Sequence, residues 1–475
     1  MNKEPNSQAI IHERWLTLRT SIIILTYNQL SFTKQCLDSI YRNTNEEDIE
    51  IIIVDNGSSD GTIDYLKKSP GIKTVFNETN AGFAKGCNQG LDIATGQAIL
   101  FLNNDTIVTK NWLHSMITSL YRDEKIGMVG PVSNYVNGPQ QIPVDYSDIE
   151  KIQDFSSKYC ESQRGKYKRV LRLVGFCLLV RKELIDKIGG FDERFEYGSF
   201  EDDDLCLRAV QAGYQLQIVM DSFVHHHGHA TFTGNEDLNI KHLYSTNRQK
   251  FIDKWNINLT YFTHPRPEIV NLVPLESKKI LDIGCGAGAT GLALLNRQTC
   301  ELYGIELNSF AASIARTYYD RIDTTDVETM DFPYVPDYFD AIIVADVLEH
   351  LKDPWKVVEK LSVYLKPSGS LICSIPNISH AEALLPLLLG RWNYVDAGIL
   401  DRTHLRFFTP QTVQSLFPSH LFEITSQTNK YIGLESKVEL FFNEVGYLAE
   451  NFGFSMDHLS DYTKIYQMLI HAKKR

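Results

Sequence analysis

The sequence predicts an α/β protein with two domains, each built on a parallel β-sheet flanked by helices. Three observations support this prediction. The chain has 475 residues, more than a single hydrophobic core usually accommodates. Apolar strands alternate with amphipathic helices in two separate series, a pattern typical of parallel sheets that are covered on both faces. The proline-rich stretch THPRPEIVNLVP, residues 263–274, separates the two series.

The first series opens with SIIILTYN, residues 21–28, a buried strand that ends in polar residues. An amphipathic helix from Lys34 to Tyr41 follows it. Further elements are predicted, in order, as a strand in IEIIIVDNGSSDGT at 49–62, a helix, the strand IKTVFN at 72–77, a helix at about 83–93 and the strand AILFLNND at 98–105. The second series opens with the strand in KKILDIGCGAG, residues 278–288.

These patterns give the expected domain boundaries. They are a tail at 1–19, a first domain at 20–262, a linker at 263–277 with the junction near 266, and a second domain at 278–475. From about residue 426 onward the second domain is expected to end in helices that pack on it.

The charge, the apolar segments and the cysteines of the sequence argue against several kinds of partner and location. The net charge of -12 argues against nucleic acid or an anionic membrane surface as the main partner. No segment approaches the roughly 18 apolar residues of a membrane-spanning helix, and MNKEPNSQAIIHERW lacks the apolar core of a signal peptide. The eight cysteines are scattered without a CxxC pair, which indicates reduced thiols. We therefore expect a cytoplasmic protein, with no nucleic-acid partner and no transmembrane segment.

Polar residues follow three strands of the first series, where an open parallel sheet binds its ligands. They are Thr26 to Asn28, Asp55 to Asp60, and Asn103 to Asp105. A carboxylate such as Asp105 suits a divalent cation that also binds the phosphates of a substrate. The alternative is that NND is only a turn, because Asn and Asp favour turns.

Seven motifs in the first series resemble, in their order, those of the family 2 inverting glycosyltransferases, which have a GT-A fold. The resemblance covers roughly residues 20–260. The motifs are LTYN (25–28), VDNGSSDGT (54–62), NAGFAKGCNQGL (80–91), LNNDT (102–106), VGFCLLVRKELIDKIGGFDERF (174–195), FEDDDLCLRAVQAGY (200–214) and VHHHGHATF (224–232). The resemblance implies a nucleotide-diphosphate sugar as donor, a glycan or lipid-linked glycan as acceptor, and Mg or Mn as the cation. Peripheral contact with a membrane-bound acceptor is compatible with it.

The same resemblance implies roles for individual residues of the first domain. Asp55 reads the nucleoside base, and Asp105 is the retained carboxylate of a metal-binding DxD motif whose first aspartate is replaced by Asn103. The expected substrate-binding set is Thr26, Asn28, Asp55, Asn80, Asn104 and Asp105.

The acidic run at 201–204 is expected to supply the general base, because inverting transfer needs a carboxylate to deprotonate the acceptor hydroxyl. The resemblance assigns this role to Asp202, with Glu201 as second candidate. Asp203 and Asp204 are expected to be first-turn acids of a helix, where the helix dipole favours them.

Four histidines lie at 225–229 in the HHHGH segment. The resemblance places a metal-binding histidine five residues before a small hydroxyl residue, and counting back from Thr231 gives His226. His225, His227 and His229 have no assigned role, and the alternative is a histidine cluster on a loop.

Two interpretations compete for the glycine-rich turn of the second series. GAGATG, 286–291, fits a dinucleotide-binding fold, and DIGCGAG, 282–288, fits a binding turn for S-adenosylmethionine. The downstream segment 339–377, FDAIIVADVLEHLKDPWKVVEKLSVYLKPSGSLICSIPN, favours the second interpretation. It resembles the class I S-adenosylmethionine-dependent methyltransferases, and the resemblance covers roughly 268–425. It implies a Rossmann-like fold.

By this resemblance Glu306 holds the ribose of the donor and Asp326 its adenine amino group. The expected donor-binding set is Asp282, Gly284, Gly286, Gly288, Glu306, Asp326 and Asp346. His350 is the candidate base and His404 lies in the expected acceptor wall, although either imidazole is also a good structural hydrogen-bond partner. The arginines and aromatic residues of 391–408 suit a sugar or phosphate acceptor, or equally a lid that packs on the core.

Together these patterns predict a bifunctional enzyme of bacterial surface polysaccharide or glycan biosynthesis. The first half is expected to transfer a hexose-type sugar with inversion, and the second to methylate, with the same growing glycan as the expected acceptor. One alternative is a scaffold or glycan-binding protein with one inactive half, which Asn103 favours and Asp105, Asp202 and His226 oppose. The other is methylation of a substrate that is not a glycan.

Overall fold

The computed structural model describes residues 18–228, 240–257 and 262–475. These residues form two compact units that divide between Thr263 and His264. Each unit has its own β-sheet and its own apolar core.

The first unit contains a nine-stranded sheet. Its strands are β1 Thr20–Thr26, β2 Ile49–Asp55, β3 Ile72–Phe76, β4 Ala98–Asn103, β5 Thr106–Val108, β6 Ile126–Val132, β7 Tyr167–Val170, β8 Cys177–Arg181 and β9 Gln215–His226. Its helices are α1 Leu30–Asn43, α2 Thr62–Lys67, α3 Phe83–Asp92, α4 Trp112–Tyr121, α5 Ile152–Ser162, α6 Lys182–Ile188, α7 Glu201–Gln211 and α8 Ile240–Trp255, with short 3₁₀ helices at Glu46–Asp48 and Ile149–Lys151. The strands and helices predicted between residues 21 and 105 are all present.

The strand order of the first sheet is β3-β2-β1-β4-β8-β6-β9-β5, with β7 paired to β9. Strands β1 to β4 are parallel, as predicted. The sheet is mixed beyond β4, because β8 runs antiparallel to it. The start of β8 therefore lies beside the end of β4, where Leu102 pairs with Cys177. This antiparallel pairing brings the residues that precede β8 to the ligand-binding edge of the sheet.

Strand order reverses between β1 and β4, because the chain adds β2 and β3 on one side of β1 and β4 on the other. Helices that follow strands on the two sides of such a point leave a crevice beyond the carboxyl ends of the strands. The strands that line it are held in the core, since Ile22, Ile23 and Ile24 of β1 are fully buried.

The second unit contains a seven-stranded sheet in the order β12-β11-β10-β13-β14-β16-β15. Its strands are β10 Lys279–Ile283, β11 Glu301–Ile305, β12 Arg321–Asp323, β13 Phe339–Ala345, β14 Leu365–Pro376, β15 Phe422–Tyr431 and β16 Ile465–Lys474. Its helices are α9 Pro267–Leu272, α10 Ala289–Arg297, α11 Ser309–Ala315, α12 Pro354–Tyr364, α13 Ala381–Leu388, α14 Ser436–Asn451 and α15 Leu459–Tyr462, with 3₁₀ helices at Leu348–His350 and Val413–Leu416. Here strand order reverses between β10 and β13.

The end of the chain differs from the expectation that it is helical. Helices α14 and α15 are present, but β16 follows them and inserts antiparallel between β14 and β15. Ile465, Met468 and Ile470 of β16 are fully buried. Residues 465–474 thus form an inner strand of the sheet, because their apolar side chains complete the core of this unit.

The segment expected to be a linker folds as part of the second unit. It contains α9, and Arg266 at its start forms ion pairs with Glu268 and Asp346. Arg266 also donates a hydrogen bond to Gln467 of β16, at 2.8 Å. These contacts fix the start of the second unit to the end of its central strand β13.

Candidate functional site

The loop after β2 turns around the buried carboxylate of Asp55. Its Oδ1 accepts hydrogen bonds from the backbone amides of Gly57, at 3.1 Å, and Ser58, at 2.9 Å. Its Oδ2 is buried and has no hydrogen-bond partner. Because an unpaired buried polar atom costs free energy, this oxygen is suited to accept a hydrogen bond from a ligand.

Two of the predicted substrate-binding residues form the floor beneath the crevice. The side chains of Thr26 and Asn104 are almost fully buried. Thr33 of α1 bonds both of them, at 3.0 Å to the Thr26 hydroxyl and 3.1 Å to the Asn104 amide. Their side chains therefore hold the ends of β1 and β4 together in this structure.

Two more predicted substrate-binding residues, Asn28 and Asn80, connect neighbouring loops. Asn28, in a left-handed conformation with φ of 55°, accepts a hydrogen bond from the backbone amide of Ser59 at 2.8 Å. Asn80 accepts hydrogen bonds from the side chain of Asn56 and the amide of Gly82. Both residues lie at the edge predicted for the ligand and fix the loops that border it.

A short antiparallel pairing places Asp105 beside His226, although 120 intervening residues separate them in the chain. Thr106 of β5 pairs with His226 of β9, and the carbonyl of Asp105 accepts a hydrogen bond from the amide of His227 at 3.0 Å. The result is a distance of 3.2 Å between Asp105 Oδ1 and His226 Nε2.

The hydrogen bonds of His226 determine which of its ring nitrogens has a free lone pair on the side of Asp105. Nδ1 lies 2.8 Å from the carbonyl oxygen of Tyr135, which can only accept, so Nδ1 carries a proton. The neutral imidazole then presents the lone pair of Nε2 to Asp105, whose Oδ1 has no satisfactory hydrogen bond. Two facing acceptors need a proton or a cation between them, so this pair fits a metal ion of the expected kind.

When no cation is bound, Asp105 and His226 each favour the charged form of the other. Burial alone would raise the pKa of Asp105, but the contact with His226 and its charge hold it below its ordinary value. Burial would lower the pKa of His226, but Asp105 raises it instead. The ring of His226 also stacks on Phe176, with centroids 5.2 Å apart.

The neighbouring histidines face other partners. His225 bonds the hydroxyl of Tyr146 at 2.8 Å, and burial lowers its pKa to about 4. His227 bonds Gln35 at 2.8 Å. Since side chains alternate across a strand, only one face of this segment meets Asp105, and among the described histidines His226 occupies it. His229 and Thr231 lie outside the described residues.

The candidate bases Glu201 and Asp202 open helix α7, and both are buried. Asp202 accepts hydrogen bonds from the amides of Gly175 and Asp203, both at 2.8 Å. Glu201 Oε2 has no hydrogen-bond partner. Burial, reinforced by the charge of Asp202, raises the pKa of Glu201 well above its ordinary value.

The two acids that follow make structural ion pairs. Asp203 contacts the guanidinium of Arg172, and burial together with the charge of Asp202 raises its pKa to about 7. Asp204 pairs with Arg208 and Lys254. Both residues lie in the first turn of α7, as expected.

The segment that leads into α7 has a strained backbone. Tyr197, Ser199 and Phe200 have positive φ values of 58°, 77° and 74°, which side-chain-bearing residues rarely adopt. The buried amide of Asn247, on α8, donates hydrogen bonds to the carbonyls of Glu196, at 3.1 Å, and Gly198, at 2.8 Å. Asn247 is therefore a positioning residue for the acidic run, and no local sequence pattern around it predicts this role.

The glycine turn of the second unit has the form expected for close approach of a ligand. Gly284, Gly286 and Gly288 all have positive φ. A Cβ on Gly284 would collide with Val347, and one on Gly288 with Tyr319. A Cβ on Gly286 would meet no atom within 4 Å, so this glycine faces open space.

Glu306 lies beside that open space at the end of β11. One carboxylate oxygen accepts a hydrogen bond from the amide of Gly286 and the other from the amide of Asn308, both at 2.8 Å. Asp326 is half-buried, and its Oδ1 closes a turn by accepting from the amide of Glu328 at 2.8 Å. The structure thus brings Gly286 and Glu306 into direct contact, and Asp326 shapes a separate loop.

Two other predicted donor-binding residues, one buried and one partly exposed, bond other side chains of the unit. Asp282 is buried and accepts a hydrogen bond from the hydroxyl of Tyr319 at 2.8 Å, and burial raises its pKa to about 7. Asp346 accepts a hydrogen bond from Ser374 at 2.8 Å and pairs with Arg266. Sequence reasoning missed Arg266, because the proline-rich pattern around it indicated a linker.

The candidate base His350 is the last residue of the 3₁₀ helix Leu348–His350, which follows β13 after a two-residue turn. Its ring makes an edge contact with that of His404, with centroids 4.7 Å apart. The structure therefore joins the predicted base to the predicted acceptor wall. Among the residues described, no helix has both the length and the apolarity required to cross a bilayer.

Both units thus contain an α/β sheet with a reversal of strand order, the point at which open sheets of this kind bind ligands. Residues 21–189 match the family model described as glycosyl transferase family 2, and residues 260–427 match that of a methyltransferase domain. The chain therefore carries a family 2 glycosyltransferase domain followed by a methyltransferase domain.

Individual relatives are similar to one half each. The probable glycosyltransferase YdaM of Bacillus subtilis (strain 168) is 26% identical over 207 residues, which cover 42% of this chain and 48% of the relative. The ubiquinone biosynthesis O-methyltransferase of Paracidovorax citrulli is 31% identical over 143 residues, 29% of this chain and 58% of the relative. The chain thus spans about half the length of these two relatives.

A solved structure is also similar to the first half. The crystal structure of S. aureus TarS 1-349 in complex with UDP-GlcNAc matches at 18% identity with a TM-score of 0.38, and the match covers 51% of this chain and 69% of that one.

Replacing Asn247 by Ala is expected to loosen the segment 196–200. It removes two hydrogen bonds worth about 1 kcal/mol each, so the amides of this segment should exchange with solvent about 10- to 30-fold faster. Hydrogen-exchange mass spectrometry measures the effect. Gln249→Ala is the control, since Gln249 is exposed on the same helix and bonds Asp253. Equal exchange in both variants would contradict the positioning role.

Proposed function

We propose that the first unit transfers a sugar from a nucleotide diphosphate to a hydroxyl of a glycan or lipid-linked glycan, with inversion at the anomeric carbon. One observation carries this proposal: Gly175 and Phe176 connect the candidate base to the candidate metal ligands. The amide of Gly175 bonds Asp202, and the ring of Phe176 stacks on His226. The candidate base and the candidate metal ligands therefore flank a single dipeptide, which supports an acceptor site next to a site for the donor diphosphate.

In this proposal Asp202 removes the proton of the acceptor hydroxyl as its oxygen attacks the anomeric carbon, opposite the leaving diphosphate. Burial and the charge of Asp202 raise the pKa of Glu201, which favours the neutral form of Glu201, and the proposal assigns proton removal to Asp202. Asp55 accepts a hydrogen bond from an N–H group of the nucleoside base through its unpaired Oδ2. Asp105 and His226 would hold Mg²⁺ or Mn²⁺, which supplies charge stabilisation to the leaving diphosphate.

Asp202→Asn is expected to lower kcat of sugar transfer by about 10²–10⁴, because the amide cannot accept the proton. Donor affinity should remain near that of the unmutated chain. Steady-state rates and calorimetric titration of the nucleotide diphosphate measure the two effects. Asp186→Asn, on the exposed face of α6, is the matched control. A near-normal rate in Asp202→Asn and a lost rate in Glu201→Gln would move the base to Glu201.

Asp105→Asn and His226→Ala are each expected to abolish the tightening of nucleotide-diphosphate binding by Mn²⁺. The reason is that each substitution removes one of the two protein ligands proposed for the cation. Titrations with and without Mn²⁺ give the ratio of the two Kd values. The control is His227→Ala, which changes the next residue of the same segment. If Mn²⁺ tightens binding equally in His226→Ala and in the control, His226 is not a ligand.

For the second unit we propose transfer of a methyl group from S-adenosylmethionine, with the glycan product of the first unit as acceptor. The open space beside Gly286, bordered by the carboxylate of Glu306, supports this assignment. Glu306 retains lone pairs for the ribose hydroxyls, and the positive φ of Gly286 lets the backbone approach the donor. Methyl transfer is an in-line displacement, in which positioning supplies much of the rate.

Gly286→Val and Glu306→Ala are expected to remove S-adenosylmethionine binding while sugar transfer continues. The valine would fill the open space, and the alanine would remove the ribose acceptor. Calorimetry with S-adenosylmethionine and a sugar-transfer assay on the same preparations test both statements. Gly453→Val is the matched control, because Gly453 in the same unit also has a positive φ, of 82°, and a Cβ on it also meets no atom within 4 Å. Binding of NAD in place of S-adenosylmethionine by the unmutated chain would refute the assignment.

A further inference from the structure

The described residues contain one cluster of three metal-binding side chains, and it lies in the second unit. Its members are Glu349, His350 and His404. One carboxylate oxygen of Glu349 and one ring nitrogen of each histidine lie within 4.8 Å of one another. The methyl transfer proposed above does not use a metal ion, so it does not explain why these three side chains lie together.

Backbone hydrogen bonds hold the two parts of the cluster together. The carbonyl of Glu349 accepts hydrogen bonds from the amides of Leu405, at 2.7 Å, and Arg406, at 3.0 Å. These two residues directly follow His404 in the chain. The loop that carries His404 is therefore fixed to the 3₁₀ helix that carries Glu349 and His350, independently of the three side chains.

The hydrogen bonds of both histidines leave the same nitrogen available. His404 Nδ1 lies 3.0 Å from the carbonyl oxygen of Ile399, which can only accept, so Nδ1 carries the proton. His350 Nδ1 lies 3.0 Å from the hydroxyl of Thr403, and that hydroxyl donates its own proton to Asp401 at 2.6 Å. The hydroxyl must then accept from His350. Both imidazoles therefore have a lone pair on Nε2.

The carboxylate of Glu349 is the third candidate ligand, beside the two histidines. Glu349 is 1% exposed, and its Oε2 has no hydrogen-bond partner. A buried carboxylate oxygen without a partner costs free energy, and burial together with the charge of Asp346 raises the pKa of Glu349. A cation bound by the two histidines would give the carboxylate of Glu349 a partner, because one of its oxygens belongs to the cluster.

We propose that Glu349, His350 and His404 bind a divalent transition-metal ion through one carboxylate and two imidazoles. This donor set suits Zn²⁺ and related first-row ions better than Mg²⁺, which prefers oxygen ligands. Three protein ligands leave a coordination position open, as in catalytic zinc sites.

The open position gives the ion a role that rests on the proposed methyl transfer. The ion binds the acceptor hydroxyl and lowers its pKa, so that the hydroxyl loses its proton to solvent. The oxygen then forms a bond to the methyl carbon as the carbon–sulfur bond breaks, and the electron pair leaves with the neutral thioether. The acceptor class is accordingly a hydroxyl rather than an amine.

The first test is Zn²⁺ titration of the full chain carrying His226→Ala, which removes the proposed ligand pair of the first unit. We expect one Zn²⁺ per chain by calorimetry, and a visible absorption band when Co²⁺ replaces Zn²⁺. Adding His404→Ala should weaken binding by more than the roughly 10- to 100-fold that loss of an outer hydrogen bond costs. Adding His458→Ala, an exposed histidine of the same unit, should change nothing.

A second pair of variants separates metal binding from a structural role of the histidines. Thr403→Val removes the hydroxyl that orients His350 and should weaken Zn²⁺ binding about 10- to 100-fold. Thr403→Ser keeps the hydroxyl and should restore the affinity. Far-UV circular dichroism confirms that each variant is folded. If Glu349→Gln does not fold, the half-buried His404 decides the test.

Two results would overturn the proposal. One is the absence of stoichiometric Zn²⁺ binding in the His226→Ala chain, and the other is equal Zn²⁺ affinity with and without His404→Ala. If S-adenosylmethionine binds and methyl transfer survives metal removal, the role proposed for the ion in the reaction is refuted and the methyl transfer stands. If Zn²⁺ binds as expected but S-adenosylmethionine does not, the metal site stands and the methyl transfer is refuted.

Discussion

The reversal of strand order in each sheet is the constraint on which the rest of the molecule depends. Between β1 and β4, and again between β10 and β13, consecutive strands are added on opposite sides. The loops that leave these strands diverge and open a crevice at their carboxyl ends. Asp55 and Asp105 border the first crevice, and Gly286 and Glu306 border the second. The remaining elements add contacts to this frame, as β9 does when it brings His226 to Asp105.

Buried carboxylates lie at the candidate sites of both units. Some of them have a hydrogen-bond or ion-pair partner, and others keep an oxygen without one. Asp282 is stabilised by the hydroxyl of Tyr319 and Asp203 by Arg172. Glu201 and Glu349 each retain a buried oxygen without a partner. Folding does not favour such atoms, so a ligand or a proton must satisfy them. Both lie next to residues proposed to act in a reaction, which links the free-energy cost of burial to function.

Local patterns were sufficient to predict part of this structure. The apolar runs at 21–26 and 98–103 form strands as predicted, and their polar ends meet at one edge because parallel strands require it. The antiparallel direction of β8 and the inner position of β16 depend on partners far along the chain, which no local period encodes. Arg266 lies in a proline-rich stretch that indicated a linker, and its partner Asp346 is eighty residues away, so no local pattern predicts their ion pair. The roles of the individual site residues remain predictions.

The protonation of the histidine rings is a property that the sequence alone does not predict. His226, His350 and His404 all have Nδ1 next to an oxygen that must accept its proton, so each presents a lone pair on Nε2. For His226 and His404 that oxygen is a backbone carbonyl, of Tyr135 and Ile399, which any residue type provides. A sequence can therefore show that a histidine is present, but not which nitrogen it offers. That choice arises from the fold, and it decides whether an imidazole is a metal ligand or a structural hydrogen-bond donor.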